Sequence, residues 1–285
     1  MKRLIAVVGP TGTGKSALAL RLAESLSGAV IVSADSRQVY RGMDIGTAKP
    51  SRDELARVPH ALIDVVDPDE PFSLADYQQR AYDAIGAAER PLLVGGTGLY
   101  VRAVVDGLVL PEAPPDANLR SERLAAPELL ARLRELDPAM AEATDPHNSY
   151  RLLRAVERAG REVPTPQPRY DVLQIGLTAP RADLYRRADE RIERMLAAGW
   201  VEEVRTLLER YSPALPALSG LGYRELGQHL RGELAYADAV DRAKRRTRQF
   251  IKRQLTWFRR DQRIRWFDIT QPGWHEQALE LAQTA

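Results

Sequence analysis

Residues 9–16, Gly9-Pro10-Thr11-Gly12-Thr13-Gly14-Lys15-Ser16, are the stretch of this chain best equipped to do chemistry. Three glycines permit a tight turn whose backbone N–H groups face an anion. Lys15 adds a positive charge on a long stem, and Ser16 can offer its hydroxyl to a phosphate-bound magnesium ion. The apolar residues 4–8 precede the turn and the helix-like residues 17–20 follow it, which is the strand, loop and helix setting that a phosphate loop requires. A second candidate is Asp35, at the carboxyl end of the β-branched run at residues 29–33. In open α/β sheets ligands bind along that edge. An Asp after a strand is equally suited to capping whatever follows, so position alone leaves both readings open.

These groups need a sheet to hold them. Residues 29–33, 60–66, 91–94 and 172–177 read as strands with little polar alternation, the pattern of a parallel sheet covered on both faces. Helical periodicity occupies 51–58, 73–89, 181–196, 201–210 and 238–260, and Ser73-x-x-Asp76 resembles a capping box. The fourth strand runs into Gly95-Gly96-Thr97-Gly98, where a P-loop ATPase would place a magnesium-holding Asp. Asp64 and Asp67 are the acids left to substitute, which argues weakly against nucleotide hydrolysis. The expected fold class is α/β, a P-loop NTPase-like parallel sheet flanked by helices. Strand signals vanish between about 110 and 172, and prolines cluster at Pro111, Pro114, Pro115 and at 163–168. The expectation is a core of residues 1–114 and 169–285 with a small helical insertion domain at 115–168, built from patterns at 119–124, 128–136 and 149–158. Arg151 and Arg154 within it are suited to a substrate lid or to an ordinary solvated face.

The chain has 285 residues, 44% of them hydrophobic, no cysteine and four dispersed histidines. Disulfides and thiolate zinc sites are excluded, and a reducing, cytoplasmic setting is expected. The first apolar run is too short for a secretory or membrane segment. The net charge of +2 hides an uneven distribution. Residues 242–265 hold eleven Lys or Arg against the single acid Asp261, so this segment carries +10 and the remainder −8. Solvated faces usually mix both signs, whereas near-exclusion of acids suits phosphate backbones. Trp257, Trp266 and Trp274 read as packing residues.

Four stretches together resemble the bacterial tRNA dimethylallyltransferases. They are the phosphate loop, Asp35-Ser36-Arg37-Gln38-Val39-Tyr40 with residues 43–50, Val94-Gly95-Gly96-Thr97-Gly98-Leu99-Tyr100, and Lys252-Arg253-Gln254-Leu255-Thr256-Trp257; Gly220-Leu221-Gly222-Tyr223-Arg224 extends the match. The resemblance implies transfer of a dimethylallyl group from dimethylallyl diphosphate to N6 of the adenine 3′ of the anticodon, in tRNAs reading codons that begin with U. It implies Asp35 as the base, with Lys15, Thr97 and Arg224 also catalytic, Gly9 to Ser16 binding the diphosphate, and Mg2+ held through Ser16. It also implies tRNA contacts at Asp35, Ser36, Arg37, Gln38, Thr97, Arg120, Tyr150, Arg151, Leu152, Leu153, Arg154, Thr247, Arg248, Gln249, Phe250, Ile251 and Lys252. A monomer acting on the tRNA anticodon stem-loop, away from membranes, is expected. The chain departs from the family in having Gly12-Thr13 and Ser16 where Ala-Ser and Thr are commoner, in its short insertion, and in lacking the eukaryotic zinc-finger extension. Two other readings compete: a P-loop small-molecule kinase using Asp35 as acceptor base, and a nucleic-acid-binding module switched by a nucleotide.

Overall fold

The computed structural model describes residues 1–110, 116–161 and 165–284. Its strands are β1 (Lys2–Val8), β2 (Ala29–Ser33), β3 (His60–Ala61), β4 (Arg90–Gly95), β5 (Tyr170–Thr178) and β6 (Ile264–Asp268). They form one parallel sheet in the order β3-β2-β4-β1-β5-β6. Helices α1 (Lys15–Ser25), α2 (Arg52–Arg57), α3 (Leu74–Ala87) and α4 (Gly98–Val105) alternate with the first strands. After them come α5 (Ala117–Ser121), α6 (Ala126–Leu136), α7 (Pro138–Ala143) and α8 (Ser149–Val156). The chain then adds α9 (Arg181–Ala197), α10 (Trp200–Arg210), α11 (Tyr223–Leu230), the long α12 (Tyr236–Phe258) and α13 (Trp274–Gln283).

The apolar strands are continuous because both faces of the sheet are covered. Leu4, Ala6 and Val8 of β1 pack with Tyr77 and Ile85 of α3 and with Val101 and Val104 of α4. The alternate residues Ile5 and Val7 pack with Leu18 and Leu22 of α1 and Ala278 and Ala282 of α13. This period of two follows from the pleat. A third cluster joins Val39, Tyr40 and Met43, from the loop after β2, to α9, α10 and α11. Ser51 and Ser73 each close a capping box with Glu54 and Asp76, of a kind worth about 1 kcal/mol per cap. Trp257 and Trp266 lie against the first cluster and Trp274 against the second, as packing residues.

Several elements differ from the periodicity. The strand expected at 60–66 is only His60–Ala61, because Leu62 and Asp64 adopt positive φ. Residues 64–66 instead hydrogen-bond along the loop after β2, at Gln38 and Val39, and Val66 bridges Tyr40. The helix expected at 119–124 spans Ala117–Ser121 and stops before Arg123, whose φ is 51°. Helices α4, α7, α11 and α13 and strand β6 carry weaker patterns and are seen only in the fold. The proline linkers fall largely at 111–115 and 162–164, outside the described residues.

Two compact units result: Met1–Gly107 with Pro168–Ala285, and Leu108–Gln167. The second has its own core of Leu119, Leu129, Leu133, Ala141, Leu152, Ala155 and Val156. Among the described residues, no helix is long and apolar enough to cross a membrane.

Candidate active site

The strand order places β2, β4 and β1 side by side, so the loops leaving their carboxyl ends are neighbours. Those loops carry Asp35, Thr97 and the phosphate loop respectively. The phosphate loop is tied down by its own atoms and by two distant helices. The Thr13 hydroxyl and the Lys15 ammonium both donate to the Pro10 carbonyl, at 2.9 and 2.8 Å. Arg187 of α9 donates to the Gly12 carbonyl at 2.8 Å, and the Thr11 N–H donates to Gln254 Oε1 of α12 at 2.9 Å. Ser16 is exposed at the start of α1.

The loops after β2 and β4 are joined to each other. Thr97 N–H donates to the Ala34 carbonyl at 3.1 Å, and Ser36 N–H donates to Thr97 Oγ1 at 3.1 Å. Asp35 Oδ1 accepts the Arg37 N–H at 2.8 Å; among the described residues nothing donates to Oδ2. One carboxylate oxygen is thus tethered in a turn while the other stays open, so the capping and ligand-facing readings of Asp35 coexist.

Three charges meet here. Burial pulls the Lys15 ammonium down to about 7, Arg191 of α9 acts in the same direction, and Asp35 opposes both. The Arg191 guanidinium is itself held below its ordinary value, by burial first, with Asp35 opposing and Arg194 adding. A half-buried pair of cations beside one carboxylate leaves positive charge that, among the described residues, no neighbouring acid balances, the condition an anion site requires. Sequence reasoning missed Arg191, which reads as one of many polar residues on an amphipathic helix. The Tyr77 and Tyr100 rings stack at 3.7 Å. Both phenols are raised chiefly by burial and also by the charge of Asp35, and among the described residues Tyr77 Oη is buried without a hydrogen-bond partner.

A family model described as IPP transferase matches residues 38–261, and one described as isopentenyl transferase matches residues 2–65. The tRNA dimethylallyltransferase of Symbiobacterium thermophilum is 48% identical, with 97% of this chain and 92% of that protein covered. This chain belongs to the tRNA dimethylallyltransferase family. The enzyme of the same name from Thermomicrobium roseum is 46% identical, over 99% of this chain and 91% of that protein. Among solved structures, the full-length tRNA isopentenylpyrophosphate transferase of Bacillus halodurans matches with a TM-score of 0.77 and 37% identity, covering 100% and 95% of the two chains. A eukaryotic dimethylallyltransferase acting on tRNA matches at 0.84 and 25% identity, over 99% of this chain and 78% of that one.

The remaining residues that the family resemblance points to are distributed unevenly. Arg37 donates to the carbonyls of Pro216 and Ala217 at 2.7 and 3.1 Å. Gln38 accepts from the Ser33 hydroxyl and donates to the Thr47 and Ala48 carbonyls. Their side chains brace the loop. The motif at 43–50 continues that brace: Glu203 accepts the N–H groups of Asp44, Ile45 and Gly46 and the Tyr223 hydroxyl. Lys49, only 5% exposed, holds Asp44 and Asp64. Asp64 is thus engaged by Lys49, and Asp67 by Arg41. Arg224 is exposed, and among the described residues its side chain has no hydrogen-bond or ion-pair partner.

In the basic segment, three cations are engaged in tertiary ion pairs while staying partly exposed. Lys244 pairs with Glu193, Arg246 with the buried Glu225, and Arg248 with Asp189, the last through both carboxylate oxygens. Ile251 is buried. Its side chain therefore packs α12 instead of facing a partner. Thr247 and Phe250 are half-buried, while Gln249 and Lys252 are exposed, with Arg242, Arg245, Arg253, Arg259 and Arg260. In the insertion, Leu152 is buried in that unit's core and Leu153 packs against it. Arg120 and Arg154 both grip Glu157, whose carboxylate is nearly enclosed. Burial pushes Glu157 up, and the hydrogen bonds from Arg120, the Asp116 N–H and Arg154 outweigh it, leaving the carboxyl below its ordinary value. Tyr150 is 68% exposed and Arg151 is exposed beside it.

A cleft of about 460 Å³ lies elsewhere, lined by Val105, Asp106, Trp257, Arg260 and Asp261. It shares only Gly98 with the loops above, and Asp106 and Asp261 are engaged by Arg263.

Proposed function

We infer that this chain transfers a dimethylallyl group from dimethylallyl diphosphate to N6 of the adenosine 3′ of the anticodon, in tRNAs reading codons that begin with U. The observation that carries this reading is the union of a phosphate loop with an open carboxylate on neighbouring strand ends, in a chain of this family. Lys15, Arg191 and the loop N–H groups bind the diphosphate. As the allylic C–O bond breaks, its electron pair leaves on the diphosphate, where these cations offset the growing negative charge. The N6 amine is a poor nucleophile because its lone pair is delocalised into the ring. It attacks as Asp35 Oδ2 takes its proton, while Oδ1 remains fixed by the Arg37 N–H. The C–N bond forms as the N–H and C–O bonds are lost. The exposed Arg224 supplies a further cation to the leaving group.

The donor set fits magnesium. Ser16 offers one exposed hydroxyl, and among the described residues no group of three His, Asp or Glu side chains could hold a metal alone. Mg2+ suits such a site because it prefers substrate phosphate oxygens and water to a protein cage. When bound, the ion neutralises diphosphate charge.

The tRNA is held by its backbone along the outward cations of α12, Lys252 first among them, and Thr97 and Ser36 line the approach to the acid. Tyr150 and Arg151 of the insertion offer it an aromatic ring and a charge. Reaching Asp35 requires the base to leave its stack, at a cost of a few kcal/mol met by these contacts. The test is incubation with labelled dimethylallyl diphosphate and unmodified tRNA, beside labelled ATP and candidate acceptors. Label in the tRNA supports the reading. Phosphoryl transfer to a small acceptor would instead establish the kinase alternative, and neither product would leave a binding module.

A further inference from the structure

Gln254 belongs to α12, whose outer face carries Lys252 and Arg253, yet it points the other way and is only 5% exposed. Its amide uses both ends across large sequence separations. Oε1 accepts the Thr11 N–H of the phosphate loop at 2.9 Å, and Nε2 donates to the Gly96 carbonyl at 2.8 Å. An N–H on one side and a carbonyl on the other leave one orientation of the amide possible. Thr97 follows Gly96 directly, and through Ser36 and Ala34 it is hydrogen-bonded to the residues that flank Asp35.

The helix presses on this loop from both sides of Thr97. A Cβ on Gly96 would lie 2.4 Å from Gln254 Nε2, and one on Gly98 would lie 2.2 Å from the Trp257 ring. The Gln254 amide at Gly96 and the Trp257 ring at Gly98 fill the space that a Cβ would need. One amide thus bridges the phosphate loop and the Gly96–Thr97 loop, which is in turn hydrogen-bonded to the loop that carries Asp35.

We propose that Gln254 is a positioning residue for group transfer: it sets the distance between the diphosphate-bound allylic carbon and the amine presented to Asp35. This rests on the prenyl-transfer reading above. Gln254 need touch neither substrate. Its loss lets the two loops drift, and misplacement of about 1 Å between reacting groups can cost about 100-fold in rate.

The experiment compares Gln254→Met, which keeps the volume and loses both hydrogen bonds, with Gln254→Glu. A protonated Glu reproduces the pair, its hydroxyl donating to Gly96 and its other oxygen accepting from Thr11. An ionised Glu turns a lone pair toward the Gly96 carbonyl instead. For Gln254→Met we expect kcat for prenyl transfer to fall by about 10- to 100-fold, with KM for tRNA and for dimethylallyl diphosphate within about threefold of the parent. For Gln254→Glu, the ratio of its kcat to that of the parent rises on acidification from pH 8 to pH 6. A Gln254→Met turnover within twofold of the parent, or a defect confined to either KM, would overturn the proposal. So would a ratio for Gln254→Glu that stays flat with pH, a result that decides alone if Gln254→Met is too unstable to assay. Failure of the underlying reading looks different, since the parent protein would then transfer no label to tRNA.

Discussion

The charge state of Lys15 should make diphosphate binding a proton-linked event. In the free chain burial and Arg191 hold its ammonium at about 7, so near neutrality roughly half the molecules carry the charge. A bound diphosphate favours the charged form and moves the group back toward the ordinary lysine range. The bound state holds more protons, so affinity is greatest below pH 7 and falls as pH rises. About half a proton is taken up per diphosphate at pH 7 and about 0.9 at pH 8, and affinity drops by ~50-fold from pH 7 to pH 9. The ligand's own last ionisation, near 6 for a phosphate ester, is largely complete over this window. Calorimetry with dimethylallyl diphosphate in two buffers of different ionisation enthalpy measures the uptake directly. Lys15→Arg, charged throughout, should bind with no uptake above pH 7. Proton uptake near zero in the parent at pH 7 to 8, or an equal uptake in Lys15→Arg, would refute the assignment.

Asp35→Asn keeps an acceptor for the Arg37 N–H but cannot take a proton. Single-turnover transfer should fall by about 100- to 10,000-fold with tRNA affinity within a few-fold, and near-normal turnover would remove Asp35 as the base. The two basic residues chosen from α12 should separate. Lys252→Ala is expected to reduce the salt slope of tRNA binding by about one unit without moving the unfolding midpoint. Arg248→Ala, which strips Asp189 of its partner, should instead lower stability by about 1 kcal/mol and leave the slope nearly unchanged; a salt titration beside thermal melts distinguishes them. Glu157→Gln leaves Arg120 and Arg154 without their shared acid. It should destabilise the insertion by about 1–3 kcal/mol, seen as faster amide exchange confined to residues 116–161. Because the Glu157 carboxyl is depressed, the parent should lose the same contribution as pH falls through the carboxylate range.

Much of the catalytic layout is local and therefore legible in one dimension. A phosphate loop needs its glycines, lysine and hydroxyl within eight consecutive residues, and a buried parallel strand announces itself as an unbroken apolar run. The amino acids alone thus located residues 9–16, placed Asp35 and Thr97 at strand ends, and implied an α/β core with a helical insertion. The family resemblance added the expectation of a diphosphate leaving group and a tRNA acceptor. Strand order came only from the fold: that β2, β4 and β1 are neighbours is what brings Asp35 and Thr97 to the phosphate loop.

Side-chain partnership was also decided in three dimensions, because opposite charges and amide ends pair by proximity and leave no mark in spacing. Residues 242–265 read as one basic stripe. Folding divides it, turning Lys244, Arg246 and Arg248 toward acids of α9 and α11 and leaving Lys252 and Arg253 in solvent. Arg191 joins Lys15 and Asp35 only because α9 packs over the loop, and nothing in a helix rich in arginine singles it out. Gln254 reaches Thr11 across 243 residues. The strand expected at 60–66 breaks off because the chain turns at Leu62 and Asp64 to follow the loop after β2, a tertiary preference that overrides the apolar pattern. Local sequence specified which groups could act, and packing at long sequence separation selected which of them face the reaction and which hold the scaffold.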